Sequence, residues 1–474
     1  MNGNNLCIFG NFLHRRFLSP TFFRTLVSDA VPKKVKTTRV RKSKAQPAAP
    51  SNADISVPKE INEYFQIENG MDTSVLKKFP STVLRRCSQI TERFYVANRA
   101  TAQRIAEVIT QDLPADLPLL EVNPGPGLLT EQIIIRDVKH LRLYEADASF
   151  TSKLQALNLP KDALRIADFN GLWRLSYLDG FDNGRRVVNL LSGLPHQKWN
   201  EEVNFRLFSI IGSAKFLHYL MYSITHQNEL YALGRYEMYL VMSPLLYSRI
   251  ASTKDAGYKL YRGSSIVFQL YFEHELLATL PRKHFLPWYH NSSTKKLRTL
   301  HQKLIEDGVE DWYLVKIVPR KNLFEHLLPD NLLLFASFVS QHYVSRRNRI
   351  IPSLEHWIPH CGARLILNAN YTKKSSKKAS NNPLPSQLQK SQPLSSNDYI
   401  DNMNIYTEFG ELTPSQVLTL FNEFINWSDF HQSPFVQAVE SQKHKQRPLQ
   451  SLEDEDTAGE LDLSSVKTKK VKEL

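Results

Sequence analysis

One stretch constrains this chain more than any other: Leu119-Leu120-Glu121-Val122, then Asn123-Pro124-Gly125-Pro126-Gly127, then Leu128-Leu129-Thr130. The apolar run predicts a buried strand, the Pro-Gly pairs a tight turn, and the Leu-rich segment after them a helix. Glycines at 125 and 127 let the backbone approach a ligand where any Cβ would clash. A strand that feeds a glycine turn and a helix belongs in an α/β sheet, with its ligand at the carboxyl end of the strand.

The flanking pattern agrees with such a sheet. Ala102, Ile105, Ala106 and Ile109 fall at i, i+3, i+4 and i+7 and predict an amphipathic helix. Short apolar runs at 117–122, 141–145, 164–167 and 186–191, separated by helix-length segments, predict a parallel sheet with crossover helices. Residues 236–242, 266–272 and 312–318 are rich in aromatic and β-branched side chains and predict later strands. Helical patterns at 330–347 and 415–427 predict a separate, smaller module.

Two acids coincide with the glycine turn. Glu145 closes the next predicted strand, 20 residues after Gly125, where a carboxylate accepts both ribose hydroxyls of an adenosine cofactor. Asp168 follows the third, placed to accept an adenine amino hydrogen while Phe169 packs on the base. A dinucleotide fingerprint needs a small residue three positions after its second glycine, and Thr130 stands there, with Pro126 between the glycines. S-adenosyl-L-methionine has no pyrophosphate and needs only the turn, the ribose acid and the adenine contact. Glu121 also suits its cationic methionine portion, so the spacing favours the methyl donor over NAD.

Charge points to a polyanionic partner. The 474 residues carry a net charge of +13, and 42% are hydrophobic, so the bulk of the chain is globular and basic. The first 50 residues hold ten Lys or Arg against a single acid, Asp29, the composition of a mitochondrial transit peptide. Cys7, Cys87 and Cys361 form no CxxC pair, which predicts neither a disulfide framework nor a metal site. No apolar run approaches the roughly 20 residues of a membrane span.

In these residues the chain resembles the ribosomal RNA adenine N6,N6-dimethyltransferase family, and within it the mitochondrial transcription factor B branch. The resemblance covers about residues 83–367. Besides 121–130, it is carried by Arg93-Phe94-Tyr95-Val96-Ala97-Asn98, similar to the segment that closes over the cofactor. Gln269-Leu270-Tyr271-Phe272, Phe285-Leu286-Pro287 and Ile317-Val318-Pro319-Arg320-Lys321-Asn322-Leu323-Phe324 also match. It implies a Rossmann-like, S-adenosylmethionine-dependent α/β methyltransferase domain with a small, mainly helical C-terminal domain. It also implies that Val96, Glu121, Gly125, Gly127, Glu145 and Asp168 line the methyl-donor pocket.

The family holds its target adenine with an Asn-Leu-Pro-Tyr-like tetrapeptide after the fourth strand. Here the candidate stretch reads Val187-Val188-Asn189-Leu190-Leu191-Ser192-Gly193-Leu194-Pro195-His196, and it leaves two phasings open. With Asn189 in register, Leu191 and Ser192 replace the proline and the ring; with Pro195 in register, Gly193 replaces the Asn and His196 the ring. Neither is a complete site, so Asn189 is the one catalytic candidate.

Two functions follow from the resemblance. One is transcription initiation in the mitochondrial matrix nucleoid, on mitochondrial promoter DNA with mitochondrial RNA polymerase. The other is dimethylation of two adjacent adenosines in mitochondrial small-subunit rRNA. Lys295, Lys296, Arg346, Arg347 and Arg349 are the candidate nucleic-acid contacts. The expected organisation is a leader (1–45), a linker (46–82), the methyltransferase-like domain (83–320) and a helical domain (321–439). The last of these carries a disordered insertion (368–397), and a charged, disordered tail (440–474) follows.

Overall fold

The computed structural model describes residues 73–84, 92–160, 162–256, 260–287, 311–372 and 390–443. The expected leader, most of the linker, Lys295, Lys296 and the tail beyond 443 lie outside the described residues. In chain order the elements used below are β1 (Tyr95–Val96), α1 (Arg99–Thr110), β2 (Leu119–Val122), α2 (Leu128–Ile135), β3 (Leu141–Glu145), β4 (Leu164–Ile166), α3 (Leu172–Asp182), α4 (Arg186–Leu191), β5 (Arg206–Ile210) and α5 (Lys215–His226). After them come β6 (Glu237–Met242), α6 (Gly263–Tyr271), β7 (Phe272–Leu280), β8 (Phe285–Leu286), β9 (Trp312–Pro319), α7 (Leu332–His342), α8 (Ala369–Thr372), α9 (Pro414–Ile425) and α10 (Pro434–Lys443).

Seven strands form one sheet in the order β4-β3-β2-β5-β6-β9-β7, parallel from β4 through β6, with β9 antiparallel to both its neighbours. Strand order reverses between β2 and β5, so the crevice beyond their carboxyl ends is the expected ligand position for an open α/β sheet. β1 and β8 pair as a separate two-stranded ribbon, with Val96 opposite Phe285.

Alternation along the strands divides the core into two layers. Leu119, Leu143, Phe208, Tyr239 and Val241 pack with Ala102, Ile105, Ile109, Leu129 and Ile133 of α1 and α2. Leu120, Val122, Leu207, Met238 and Leu240 face the other way, into a second cluster. The predicted amphipathic helix is α1, whose N-terminus is capped by Asn98 accepting from the Thr101 N–H at 2.9 Å. Ile105 and Ile109 are fully enclosed, and truncating such a side chain to Ala costs about 2–5 kcal/mol.

The second cluster runs without a break from the sheet into α5, α6, α7, α9 and α10, so the helices after β9 share the sheet's core instead of building their own. Both ends of the expected disordered insertion are structured. Residues 369–372 form α8, with Tyr371 buried and its hydroxyl donating to Glu423 at 2.5 Å, and Gln392 O accepts from Arg320 at 2.8 Å.

Two predicted strands are helices. Residues 186–191 form α4, because Asp179 accepts from the Val187 N–H at 2.9 Å and, with Asp182, chelates Arg186, folding the chain back beside α3. Residues 266–271 belong to α6, enclosed on most sides, so the single polar position, Gln269, was too little to reveal a period of 3.6. Sequence reading passed over two strands of the main sheet, β7 and β5. β5 is the one that bears on the site. It opens on Arg206, a charge that breaks the apolar pattern yet is buried against Glu237, Nε to Oε2 at 2.5 Å.

Candidate functional site

The carboxyl end of β2 bends through the glycine turn with Gly125 at φ +61° and Gly127 at φ +88°, conformations that favour glycine. Space is equally restrictive: a Cβ on Gly125 would lie 2.7 Å from Tyr95 Cδ1. It is therefore Tyr95 that rests on the turn, while its neighbour Val96 is buried in the β1–β8 ribbon. Phe79 and Phe150 flank the Tyr95 ring at 6.2 and 5.1 Å between centroids. Segment 93–98 thus sits against the turn, through a residue the sequence reading did not single out.

Glu145 closes β3, fully buried, and grips the turn. Its Oε2 accepts from the Gly125 N–H and its Oε1 from the Asp147 N–H, each at 2.8 Å. Burial pushes its carboxyl up to about 7 against the pull of those two amides. Each oxygen keeps a lone pair, enough to accept from a vicinal diol. Glu121, also buried, accepts from Thr130 Oγ1 of α2 at 2.8 Å, and burial raises its carboxyl to about 8. Asn123, the residue after β2, is buried, at φ +54°, with neither side-chain polar atom partnered among the described residues.

Asp168 follows β4. One oxygen accepts from the Gly171 N–H at 3.0 Å, and the other faces Arg93 at 3.4 Å and Arg174 at 3.5 Å. The expectation that Phe169 packs on a base is corrected: its ring is fully buried between Tyr144 and Phe216. Instead Asn170 joins the loop to β5, donating to Ile210 O at 3.1 Å and accepting from Ser209 Oγ at 2.7 Å.

The fourth strand of the main sheet in chain order is β5, which moves the target-base position. Asn189 is exposed on α4, remote in the chain from any strand's carboxyl end, and Pro195 lies beside Asn204 at the opposite edge of the sheet. Both phasings of residues 187–196 are therefore set aside. The segment that leaves β5 reads Ile211-Gly212-Ser213-Ala214-Lys215-Phe216, and no Asn, Asp or Pro occurs anywhere from 205 to 216. Ile211, Gly212, Ser213 and Phe216 line a shallow niche with Glu92, Asn170 and Trp173. Lys215 Nζ sits 4.2 Å from the Trp173 ring centre and 3.8 Å from Glu92, and Trp173 Nε1 donates to Glu92 at 3.4 Å.

A family model described as ribosomal RNA adenine dimethylase matches residues 90–379. The mitochondrial dimethyladenosine transferase 2 of Drosophila melanogaster is 37% identical over 77% of this chain and 82% of its own. The chain belongs to the ribosomal RNA adenine dimethylase family. The protein of the same name in Homo sapiens is 24% identical, over 56% of this chain and 68% of that one. A more distant likeness is the solved 23S rRNA methyltransferase ErmE, with 18% identity and a TM-score of 0.40 over 69% of this chain and 98% of that one.

Ribosomal RNA adenine dimethylases use S-adenosylmethionine, and the cradle fits that donor. Gly125 and Gly127 would clear the backbone for it, Glu145 would accept from its ribose and Asp168 from its adenine amino group. What the donor would supply is a methyl group on a sulfonium. What the segment leaving β5 lacks is the Asn and the Pro of the family's tetrapeptide.

Among the basic candidates, Arg346 is structural. It donates to Lys254 O at 3.0 Å and Gly410 O at 2.9 Å and lies over the Tyr261 ring, pinning loops together. Arg347 is exposed, as is Arg349, which lies over Tyr406. Among the described residues no His, Cys, Asp and Glu cluster is built to hold a metal, and no helix is long and apolar enough to cross a membrane.

Proposed function

We propose that this chain is a mitochondrial transcription initiation factor: a dimethylase scaffold that binds promoter DNA with mitochondrial RNA polymerase and promotes melting. The observation that carries the reading is the segment leaving β5, where no Asn, Asp or Pro remains from 205 to 216. Methylation at N6 needs the exocyclic nitrogen held by two hydrogen bonds and the base oriented by a ring, and each lost contact slows transfer. Seizing an unpaired base needs no such bonds.

Trp173 at the niche with Lys215 over its ring, and Arg93 and Arg174 on Asp168, are chemistry suited to a single strand, an aromatic ring with cations for the phosphates. Binding an unpaired nucleotide draws the equilibrium towards open duplex. The net charge of +13 supplies sequence-independent attraction. The Arg-rich first 45 residues, as a transit peptide, and the mitochondrial names of the relatives support placement in the matrix nucleoid.

A second reading, dimethylation of two adjacent adenosines in mitochondrial small-subunit rRNA, is favoured by the intact donor cradle of Gly125, Glu145 and Asp168. Promoter-dependent run-off transcription with mitochondrial RNA polymerase separates the two, comparing the wild type with Asp168→Ala. Equal stimulation by both proteins supports initiation independent of the donor pocket. No stimulation by the wild type sinks the first reading and leaves the rRNA enzyme.

A further inference from the structure

Residues 187–196 do not hold a target base, and the loop that ends them covers a pair of arginines instead. β3 and β4 run parallel with Tyr144 opposite Arg165, and Arg142, two residues before Tyr144, shares its face of the sheet. That face is the one α4 packs on. Arg165 Nη1 donates to Leu190 O at 3.3 Å and to Ser192 Oγ at 3.4 Å, at the carboxyl end of α4. Gly193 follows, exposed, at φ +77°. The three heavy atoms nearest to where its Cβ would stand are all guanidinium nitrogens: Arg142 Nη1 and Arg165 Nη2 at 3.5 Å, and Arg142 Nη2 at 3.9 Å.

Elsewhere the fold gives its arginines acids, Asp179 and Asp182 to Arg186 and Glu237 to Arg206. Here it does not. Neither Arg142 nor Arg165 has a carboxylate within ion-pair distance among the described residues, and Arg142 Nη1 is buried without a hydrogen-bond partner. Burial keeps the Tyr144 hydroxyl beside them neutral, so it supplies no counter-charge. Two like charges held side by side repel, and half-burying them without a full set of acceptors adds a desolvation cost. The left-handed φ at 193 is open to Asp as well as to Gly, and a short acid there would neutralise both arginines from within the chain. Glycine leaves the point between the two guanidiniums uncovered.

An anion from outside the chain completes such a pair. Guanidinium forks match the oxygens of a phosphate group two at a time. On a chain with a net charge of +13, the phosphates to consider first are those of a nucleic-acid strand. We propose that Arg142 and Arg165, beneath Ser192 and Gly193, hold a backbone phosphate of the bound strand. Arg142 stands three residues before Glu145 on β3, about 10 Å back along the strand, so this anchor is set back from the carboxyl ends where the donor cradle lies. The assignment rests on the reading of the chain as a promoter-binding protein and adds a contact to it.

The test supplies the acid from within the chain. Gly193→Asp sets a carboxylate on the two guanidiniums, Gly193→Asn keeps its size and φ without the charge, and Gln197→Glu adds one negative charge at an exposed position four residues on. Each full-length protein is titrated with a fluorescently labelled promoter strand at several salt concentrations. Gly193→Asp is expected to weaken binding about fivefold to tenfold at low salt, to reduce the salt slope by about one to two, and to melt no lower than Gly193→Asn. Gly193→Asn and Gln197→Glu are expected to stay within about twofold of the wild type and to keep its slope.

Equal slopes for Gly193→Asp and Gly193→Asn would overturn the proposal, as would an equal loss in Gln197→Glu, which marks bulk charge. Melting with inorganic phosphate at fixed ionic strength separates the two sources of the anion. A rise in the wild type that Gly193→Asp abolishes, with strand binding unchanged, would make this a site for free phosphate and overturn the strand assignment. A wild type that binds no strand overturns the promoter reading and this contact together. A wild type that binds and stimulates run-off transcription while Gly193→Asp matches it in strand binding and salt slope overturns this contact alone.

Discussion

Thr130 Oγ1 donates a 2.8 Å hydrogen bond to Glu121 Oε2, tying the first turn of α2 back to the strand that precedes the glycine turn. The bond stabilises charge on Glu121 too little to offset burial, which raises the carboxyl from 4.5 to about 8. The folded protein therefore holds a proton that the unfolded chain releases near 4.5, and stability falls as pH rises from about 4.5 to about 8. Glu121→Gln keeps an acceptor for Thr130 and removes the ionisation. Thermal melts between pH 5 and 8 are expected to show a flatter profile for the variant and, at pH 8, a Tm higher by about 2 to 4 °C. An unchanged pH profile would refute the assignment.

Gly125→Ala places a methyl group 2.7 Å from Tyr95 Cδ1 on a backbone with φ +61°. Strain and overpacking together are expected to cost about 1–3 kcal/mol and to push Tyr95 off the turn. S-adenosylhomocysteine affinity should fall at least about tenfold. Differential scanning fluorimetry and calorimetric titration read the two effects separately, and wild-type values in both would contradict the geometry.

Glu237 holds Arg206 and Lys316 at the amino-terminal edge of β5 and β6, across the sheet from the site. Glu237→Ala strands the buried guanidinium, so denaturant unfolding is expected to show a loss of about 3–5 kcal/mol. Donor affinity of the surviving folded fraction should match wild type. A variant as stable as the parent would mean that water reaches Arg206.

Arg346 and Arg347 are neighbours with different expected effects. Arg346→Ala leaves the carbonyls of Lys254 and Gly410 without a donor and should lower stability by about 1–3 kcal/mol. Arg347→Ala, at an exposed position, should leave the melting temperature alone and reduce the salt slope of DNA binding by about one. Fluorescence anisotropy with a promoter duplex at several salt concentrations decides the matter; identical slopes would remove Arg347 from the DNA track.

The donor cradle was legible in the sequence because glycines and acids at its strand ends cannot be replaced by generic core residues. Gly125 and Glu145 meet directly across the 20 residues that separate them, and Asp168 caps the loop after β4, the neighbour of β3. The target-base segment was misplaced for a physical reason. Arg206 made β5 look like surface, although Glu237 neutralises it across the sheet, a pairing no local window contains. With β5 unseen, the apolar 186–191 run took its place as fourth strand, although Asp179 and Asp182 bend it into a helix. Asn123 was read only as part of a turn, since the lack of a partner becomes visible in three dimensions alone.

The unbroken cluster that joins β6 and β9 to α7, α9 and α10 has a mechanical meaning. Ending the chain at residue 320 would strip cover from Val315 and Ile317, so the C-terminal helices cannot be shed as a detachable module. Load placed on those helices passes through close-packed side chains to the strands that carry the site. The sheet and its helical cover are expected to melt in one calorimetric transition, as a single cooperative body.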